Sequence, residues 1–334
     1  MNYKNENLLD FSAGIELLKT AEKILITTHI NPDGDAIGSA LALYHFAKNI
    51  GKNANIIISE SDTPAQYRFL TNSEQVEMYN SAKHNEFIRL ADAIFLLDLS
   101  ELSRVKLMEE AIKNSNAQKV LIDHHIEPEK FANLLFSNPK ATSTGELIYY
   151  FIKQAQGEIS KDIAEAIYTA IYTDTGGFRF SSTTAQTHRI IAELIDSGAN
   201  SDYIYDNIYN NSSHSRMKLN GLAVSDMEYF CDGKVSVICA TEKMFKITET
   251  NDKDTEGLSQ IPLSVQGVLV AIALVELGKN EIRVSLRSKG NINVREIANR
   301  YNGGGHFNAS GCRLKKITIE EAKKIIINEI EKII

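Results

Sequence analysis

Ile24-Leu25-Ile26-Thr27-Thr28-His29-Ile30-Asn31-Pro32-Asp33-Gly34-Asp35-Ala36-Ile37-Gly38-Ser39 is the stretch that decides the fold. Its first five residues read as a short buried strand, and residues 36–49 carry apolar side chains at helical spacing until Gly51 stops them. Pro32 and Gly34 shape a tight turn between the two. The pattern then repeats: β-rich runs at 54–59, 93–97 and 119–122 alternate with helical stretches such as 103–114. Alternation of this kind predicts a parallel α/β sheet, whose carboxyl edge is where such folds place ligands. Polar clusters follow three of these runs: His29 to Asp35, Asp98, and Asp123-His124-His125.

From residue 144 the pattern is helical, with segments at 145–156, 161–172, 185–197 and 202–211 and no evident strand. Strand-like runs resume at 235–240, 267–277 and 281–287, followed by a helix at 294–301. A final helix is announced by Thr318 and Glu321 in capping-box spacing. The expected organisation is an α/β domain over 1–198, a helical linker rich in Asn and Ser over 199–226, and a smaller domain over 227–334. A length of 334 residues suits two domains.

With 43% hydrophobic and 24% charged residues and only 5 prolines, the composition excludes fibrous and disordered classes. A formal charge of −7 argues against a surface for long duplex DNA and leaves room for a local cationic pocket. Cys231, Cys239 and Cys312 have no metal-site spacing and read as reduced thiols of a cytoplasmic protein. The N-terminus lacks a basic run followed by an apolar core, and the longest apolar run, 268–275, falls short of the roughly 18 residues of a membrane span. No membrane partner is expected.

His29, Asp33 and Asp35 fall within seven positions of one turn. Imidazole and carboxylate together suit manganese or a similar divalent ion. Either aspartate could simply cap the following helix, but capping does not account for three potential ligands. Asp98 ends the apolar run 94–97 and points toward the same edge, and Asp123-His124-His125 follows 120–122 in the same way. Burying such groups without partners is costly, so they imply a ligand. Asp174 ends a helical segment, where its charge opposes the macrodipole and calls for a cation. These side chains exceed what one ion needs. Two ions about 3.5–4 Å apart, bridged by a carboxylate, activate water and stabilise displacement at phosphorus.

A second constellation is Gly303-Gly304-Gly305-His306-Phe307-Asn308-Ala309-Ser310-Gly311. Successive glycines can bring backbone amides to an anion. On the preceding strand Arg283, Ser285 and Arg287 share one face, with Ser288 beside them. Arginine there could grip a phosphate bidentately, a solvated basic face being the alternative. His45, His84, His188 and His214 stand singly and read as surface or satisfied side chains.

The turn at 29–39, the strand-end Asp98, the literal Asp-His-His at 123–125, Thr173-Asp174-Thr175-Gly176-Gly177-Phe178 and the segment 303–311 resemble the DHH phosphoesterase family with its DHH-associated C-terminal domain. The resemblance runs over roughly residues 15–330, and the length is similar to the nanoRNase and pAp-phosphatase subfamily. RecJ-type exonucleases are similar at the core but larger, and family II pyrophosphatases lack the glycine-rich segment. The resemblance implies two α/β domains: an N-terminal parallel-sheet DHH domain and a smaller mixed α/β domain, with the active site in the cleft between them.

It further implies that His29, Asp33 and Asp98 hold one manganese and that Asp35, Asp98, His124 and Asp174 hold the other, with Asp98 bridging; magnesium or cobalt could substitute. His125 would contact the scissile phosphate or protonate the leaving oxygen, and Asp123 would orient its neighbour. Arg287, Ser288, His306 and the amides of Gly303, Gly304 and Gly305 would hold the far end of a nucleotide. The implied substrates are very short RNA oligonucleotides, cut to 5′-mononucleotides, and 3′-phosphoadenosine 5′-phosphate (pAp), converted to AMP by a homodimer. The alternatives are hydrolysis of cyclic di-AMP or its linear product pApA, and a nucleotide-binding protein without turnover.

Overall fold

The first half forms six strands, and its long apolar runs lack strict polar alternation because both faces of their sheet are covered. In the computed structural model, which describes residues 9–59, 63–278 and 280–334, these are β1 (Lys23–Thr28), β2 (Asn53–Ile58), β3 (Val76–Met78), β4 (Ala93–Leu97), β5 (Gln118–Asp123) and β6 (Leu134–Ser137). The first eight residues, part of the stretch read above for a leader, lie outside the described residues. All neighbouring strands are parallel, in the order β3-β2-β1-β4-β5-β6.

Alternate residues of the same strands serve two cores. Ile24, Ile26, Phe95, Leu97, Val120 and Ile122 face one side, and Leu25, Ile94, Leu96 and Leu121 face the other. A sheet buried on both faces is what a parallel arrangement with helical crossovers requires. The helices of this half are α1 (Ser12–Thr20), α2 (Gly34–Asn49), α3 (Ser81–Arg89), α4 (Glu109–Lys113), α5 (Thr144–Gln154), α6 (Lys161–Asp174), α7 (Ala185–Asp196) and α8 (Ser201–Tyr209). The helix expected over 103–114 is broken: a 3-10 segment at Leu102–Met108 precedes α4, and Lys106 within that segment has φ 46°. Helix α2 is buried on nearly every side because small residues let it approach α6. A Cβ on Gly38 would come within 2.4 Å of the Ala166 carbonyl.

The chain leaves β1 toward β2 and β3, and it leaves β4 in the opposite direction toward β5 and β6. The crevice beyond the carboxyl ends of β1 and β4 is therefore the topological switch point, the usual ligand position in an open α/β sheet.

The chain divides into two units, Met1–Asn211 and Ser212–Ile334. Of the helical stretch 199–226, α8 belongs to the first unit and α9 (His214–Ser225) to the second. The second unit continues with β7 (Glu228–Phe230), β8 (Val235–Ala240), α10 (Glu242–Thr248), α11 (Gln260–Leu263), β9 (Val270–Glu276), β10 (Glu281–Ser288), α12 (Val294–Arg300), β11 (Gly304–His306), β12 (Ala309–Lys315) and α13 (Ile319–Ile330). Its sheet runs β11-β12-β10-β9-β8-β7, with β8 and β9 parallel and the other pairs antiparallel. Among the described residues no helix is long and apolar enough to cross a membrane, and the three cysteines are free thiols.

Candidate metal centre

The loop after β1 places two of its carboxylates by helix-start chemistry. Asp33 is the N-cap of α2 and accepts from the Asp35 and Ala36 amides, both at 3.1 Å. Capping and ligation are compatible, because a carboxylate has lone pairs left after accepting two amides. Asp35 is buried, and its carboxylate lies across the amino end of α5, where the Thr144 and Gly145 amides donate to it at 2.7 and 2.8 Å. The Ser39 hydroxyl adds a third bond at 3.1 Å.

Asp98 follows β4 in a left-handed conformation, φ 58°, that turns its side chain back over the sheet edge. The Thr144 hydroxyl donates to it at 3.0 Å. Asp123 ends β5 with its side chain fully buried, and Asp174 is the last residue of α6.

Each histidine of the cluster is fixed through Nδ1. In His29 it donates to the Ile30 carbonyl at 2.8 Å, in His124 to the Ala141 carbonyl at 3.3 Å, and in His125 to an Asp123 oxygen at 2.6 Å. A carbonyl can only accept, so in the neutral rings of His29 and His124 the proton resides on Nδ1 and Nε2 offers a lone pair. Nε2 of His29 stands 3.4 Å from Asp98 Oδ2 and 3.9 Å from Asp33 Oδ1. Nε2 of His124 stands 3.5 Å from Asp174 Oδ2 and 3.7 Å from oxygens of both Asp35 and Asp98.

Three sets result in this unit, His29-Asp33-Asp98, Asp35-His124-Asp174 and Asp98-Asp123-His125, each with ligand atoms within 4.8 Å of one another. Apart from the exposed Asp33 these groups are buried or partly so, and acceptors facing acceptors there repel unless a cation lies between them. The electrostatics carry the same sign. Burial, then the charges of Asp98 and Asp174, hold the Asp35 carboxyl well above its usual range. Burial, with Asp33 and Asp98, overrides His124 and pushes Asp174 up to about 7.

Burial opposes the charge of Asp98, but the His29 hydrogen bond and positive charge on the three histidine rings outweigh it and lower this carboxyl. Burial opposes the charge on His125, but the Asp123 hydrogen bond with the Asp98 and Asp123 charges prevails and raises it to about 9. Burial also opposes the charge on His29, but the Asp98 hydrogen bond with the charges of Asp33 and Asp98 raises it. Asp123 Oδ2 is buried with no partner among the described residues. Hard carboxylate oxygens, imidazole nitrogens and an uncompensated excess of negative charge fit divalent metal ions.

Every metal-site residue expected from the sequence is brought to this crevice. Thr144 and Gly145 were not expected there. Their only signal was Ser143 followed three residues later by Glu146, the usual start of a helix, which here turns its free amides onto Asp35. His45 and His84 are buried and satisfied, through the Thr71 carbonyl and Glu77.

The residues of the second unit are less uniform. The Arg287 guanidinium donates to the Leu286 carbonyl, and burial lowers its pKa with no carboxylate opposing that shift among the described residues. Arg283, expected on the same gripping face, is engaged by Asp252 and Thr255. Ser288 Oγ donates to the Ile292 carbonyl and accepts from Asn308. The glycine run is largely strand: β11 pairs with β12, and the Gly303 amide is already donated to the Ala298 carbonyl. Glycine is needed at 303 and 305 because a Cβ would come within 2.2 Å of the Gly311 carbonyl and 2.5 Å of the Ala309 carbonyl.

A switch-point crevice lined by such a donor set defines a metal-dependent hydrolase. Residues 23–171 match the N-terminal domain of the DHH family, and residues 236–333 match the DHHA1 domain. The bifunctional oligoribonuclease and PAP phosphatase NrnA of Thermus thermophilus is 31% identical over 318 residues, 94% of this chain and 91% of that one. The crystal structure of an exopolyphosphatase-related protein from Bacteroides fragilis superposes with a TM-score of 0.91 at 36% identity, covering 96% of this chain and 95% of that one. The cyclic-di-AMP phosphodiesterase PdeA of Listeria monocytogenes is 26% identical over 95% of this chain but only 48% of its own length. The chain belongs to the DHH family of phosphoesterases.

Proposed function

We propose that this protein degrades very short RNA oligonucleotides to 5′-mononucleotides and dephosphorylates pAp to AMP, using two divalent ions, manganese in the first instance. The observation that carries the metal count is the sharing of Asp98: its Oδ2 faces His29 and its Oδ1 faces His124. His29, Asp33 and Asp98 would hold one ion, and Asp35, Asp98, His124 and Asp174 the other. Ions in these positions supply the Lewis acidity that activates water and neutralises charge at phosphorus.

The chain's own residues do the rest. Asp123 holds His125 by its Nδ1 proton, and the ring so oriented is the proposed partner of the leaving oxygen or the phosphate. Thr144 and the amino end of α5 keep Asp98 and Asp35 from swinging out of line. In the second unit Arg287 and His306 are the proposed holders of the nucleotide's far phosphate, with Gly304 and Gly305 beside them. Ser288 and Gly303 are proposed as their supports, since the hydroxyl of one and the amide of the other are already bonded. The oligoribonuclease and PAP phosphatase activities carried in the name of the Thermus relative support this substrate class. A net charge of −7 supports a small anionic substrate over a long polyanion.

The test is manganese-dependent release of mononucleotide or phosphate from pAp, RNA of graded length, cyclic di-AMP and pApA. The expected result is turnover of pAp and the shortest RNAs, falling with length. Asp98→Ala is expected to lose metal and activity together, and near-normal turnover by that variant would sink the two-ion reading. Turnover confined to cyclic di-AMP and pApA would move the protein to the activity of the Listeria relative.

A further inference from the structure

The segment after Asp174 folds back onto the end of α6. Gly176 and Gly177 take left-handed conformations, φ 59° and 71°, and their amides return to the Thr173 and Tyr172 carbonyls at 3.0 and 2.8 Å. The amides of Arg179 and Phe180 then both donate to the carbonyl of Thr175, the residue next to Asp174, at 3.1 and 3.0 Å. The Phe180 ring consequently lies against Gly176: a Cβ there would come within 2.5 Å of the ring.

Two aromatic residues leave this turn, with opposite fates. Phe178 packs inward, its ring centroid 5.2 Å from those of Tyr172 and His188. Phe180 stays 39% exposed, and the Arg179 guanidinium stands 5.5 Å from its centroid, within cation–π range. An exposed ring topped by a cation, on a turn whose backbone is anchored to Thr175 next to Asp174, serves neither the core nor metal ligation.

We propose that Phe180 and Arg179 form a plate on which a nucleobase of the substrate stacks, beside the phosphodiester being cut. The proposal rests on the nucleotide-hydrolase reading above. The chemistry of the plate selects its occupant. The guanidinium that tops the Phe180 ring offers a planar cationic face on which a base stacks, the ring backs that face, and the charge attracts an adjoining phosphate into a crevice otherwise lined with aspartates. A single ring is too small a surface for a protein partner.

The test compares 5′-phosphorylated diadenylate with the same compound carrying an abasic ribose beside the scissile phosphate, each with manganese. Stacking contributes about 1–3 kcal/mol per base, so Phe180→Ala should raise KM for the diadenylate roughly 5- to 150-fold with kcat largely kept. Phe180→Trp should hold KM near the parent value, and Phe180→Leu, which keeps apolar volume without a flat face, should behave like the alanine variant. On the abasic compound the parent enzyme should already show the raised KM, and no variant should raise it further. Manganese stoichiometry in each variant checks that the end of α6 is intact. An equal loss on both compounds, or no loss on either, overturns the stacking plate. Absence of manganese-dependent turnover by the parent enzyme on both compounds and on pAp overturns the hydrolase reading itself, and the plate with it.

Discussion

Three histidines share one device: Nδ1 is spent on a neighbour, and the rest of the ring is thereby aimed. For His29 and His124 the neighbour is a carbonyl, which only positions. For His125 it is the buried Asp123 carboxylate, which also stabilises charge on the ring, so that pair is suited to moving a proton. Asp123→Asn keeps the shape and removes the charge. It should lower kcat by roughly 10- to 100-fold while KM and metal stoichiometry hold, measured by steady-state kinetics beside metal analysis. Loss of an ion in that variant would make Asp123 a ligand instead. The side chains of this site were legible in the sequence because each lies in the short turn after an apolar strand or ends a helix, where packing does not explain so many ionisable groups together. Thr144 was not legible, since a hydroxyl at a helix start is ordinary, and only the fold reveals that it faces Asp98.

At the scale of elements, the crevice is held by close helix packing. A Cβ on Gly145 would come within 2.4 Å of the Ala170 Cβ and 3.4 Å of Asp35 Oδ1, so α5 approaches α6 only because residue 145 is glycine. Gly145→Ala should cost about 1–3 kcal/mol of stability. It should also weaken metal binding, because the amide that anchors Asp35 moves with the helix. Gly221 sits on the exposed α9 with nothing within 4 Å of an added Cβ, so Gly221→Ala should stabilise by about 0.5–1 kcal/mol and leave metal affinity alone. Thermal melts and manganese titrations of the two variants check the contrast, and equal effects would refute it.

The same physics explains which elements the sequence revealed. Runs such as 93–97 and 119–122 were plain because central strands are apolar throughout. The three-residue strands β3, β7 and β11 were not, since edge strands this short leave no periodicity to read. The glycine run at 303–305 was read as an anion-binding loop, whereas its tight pairing with β12 needs a partner strand six residues on, which spacing alone does not disclose.

For the whole molecule, the site is a store of unfavourable charge. Without metal, the folded protein keeps protons on Asp174 up to about pH 7 and on His125 up to about pH 9, whereas their ordinary values are 3.8 and 6.5. Both folded values are raised, so the stability these groups contribute is fully present below the ordinary values and is lost as pH rises through the folded ones. Asp35 and His29 are shifted in the same direction. Asp98 is shifted the other way, but its window lies below pH 3.8 and does not oppose the trend near neutrality. Chelated protein should therefore show a melting temperature that falls steadily between pH 5 and pH 9. Divalent ions replace the missing protons, so the rise in melting temperature on adding manganese should grow over the same range. Scanning calorimetry at several pH values, with and without manganese, reads both slopes. A melting temperature of the chelated protein that climbed from pH 5 to pH 8 would mean that the carboxylates are compensated by groups of the chain itself, and that the crevice does not need a metal to be electrostatically at rest.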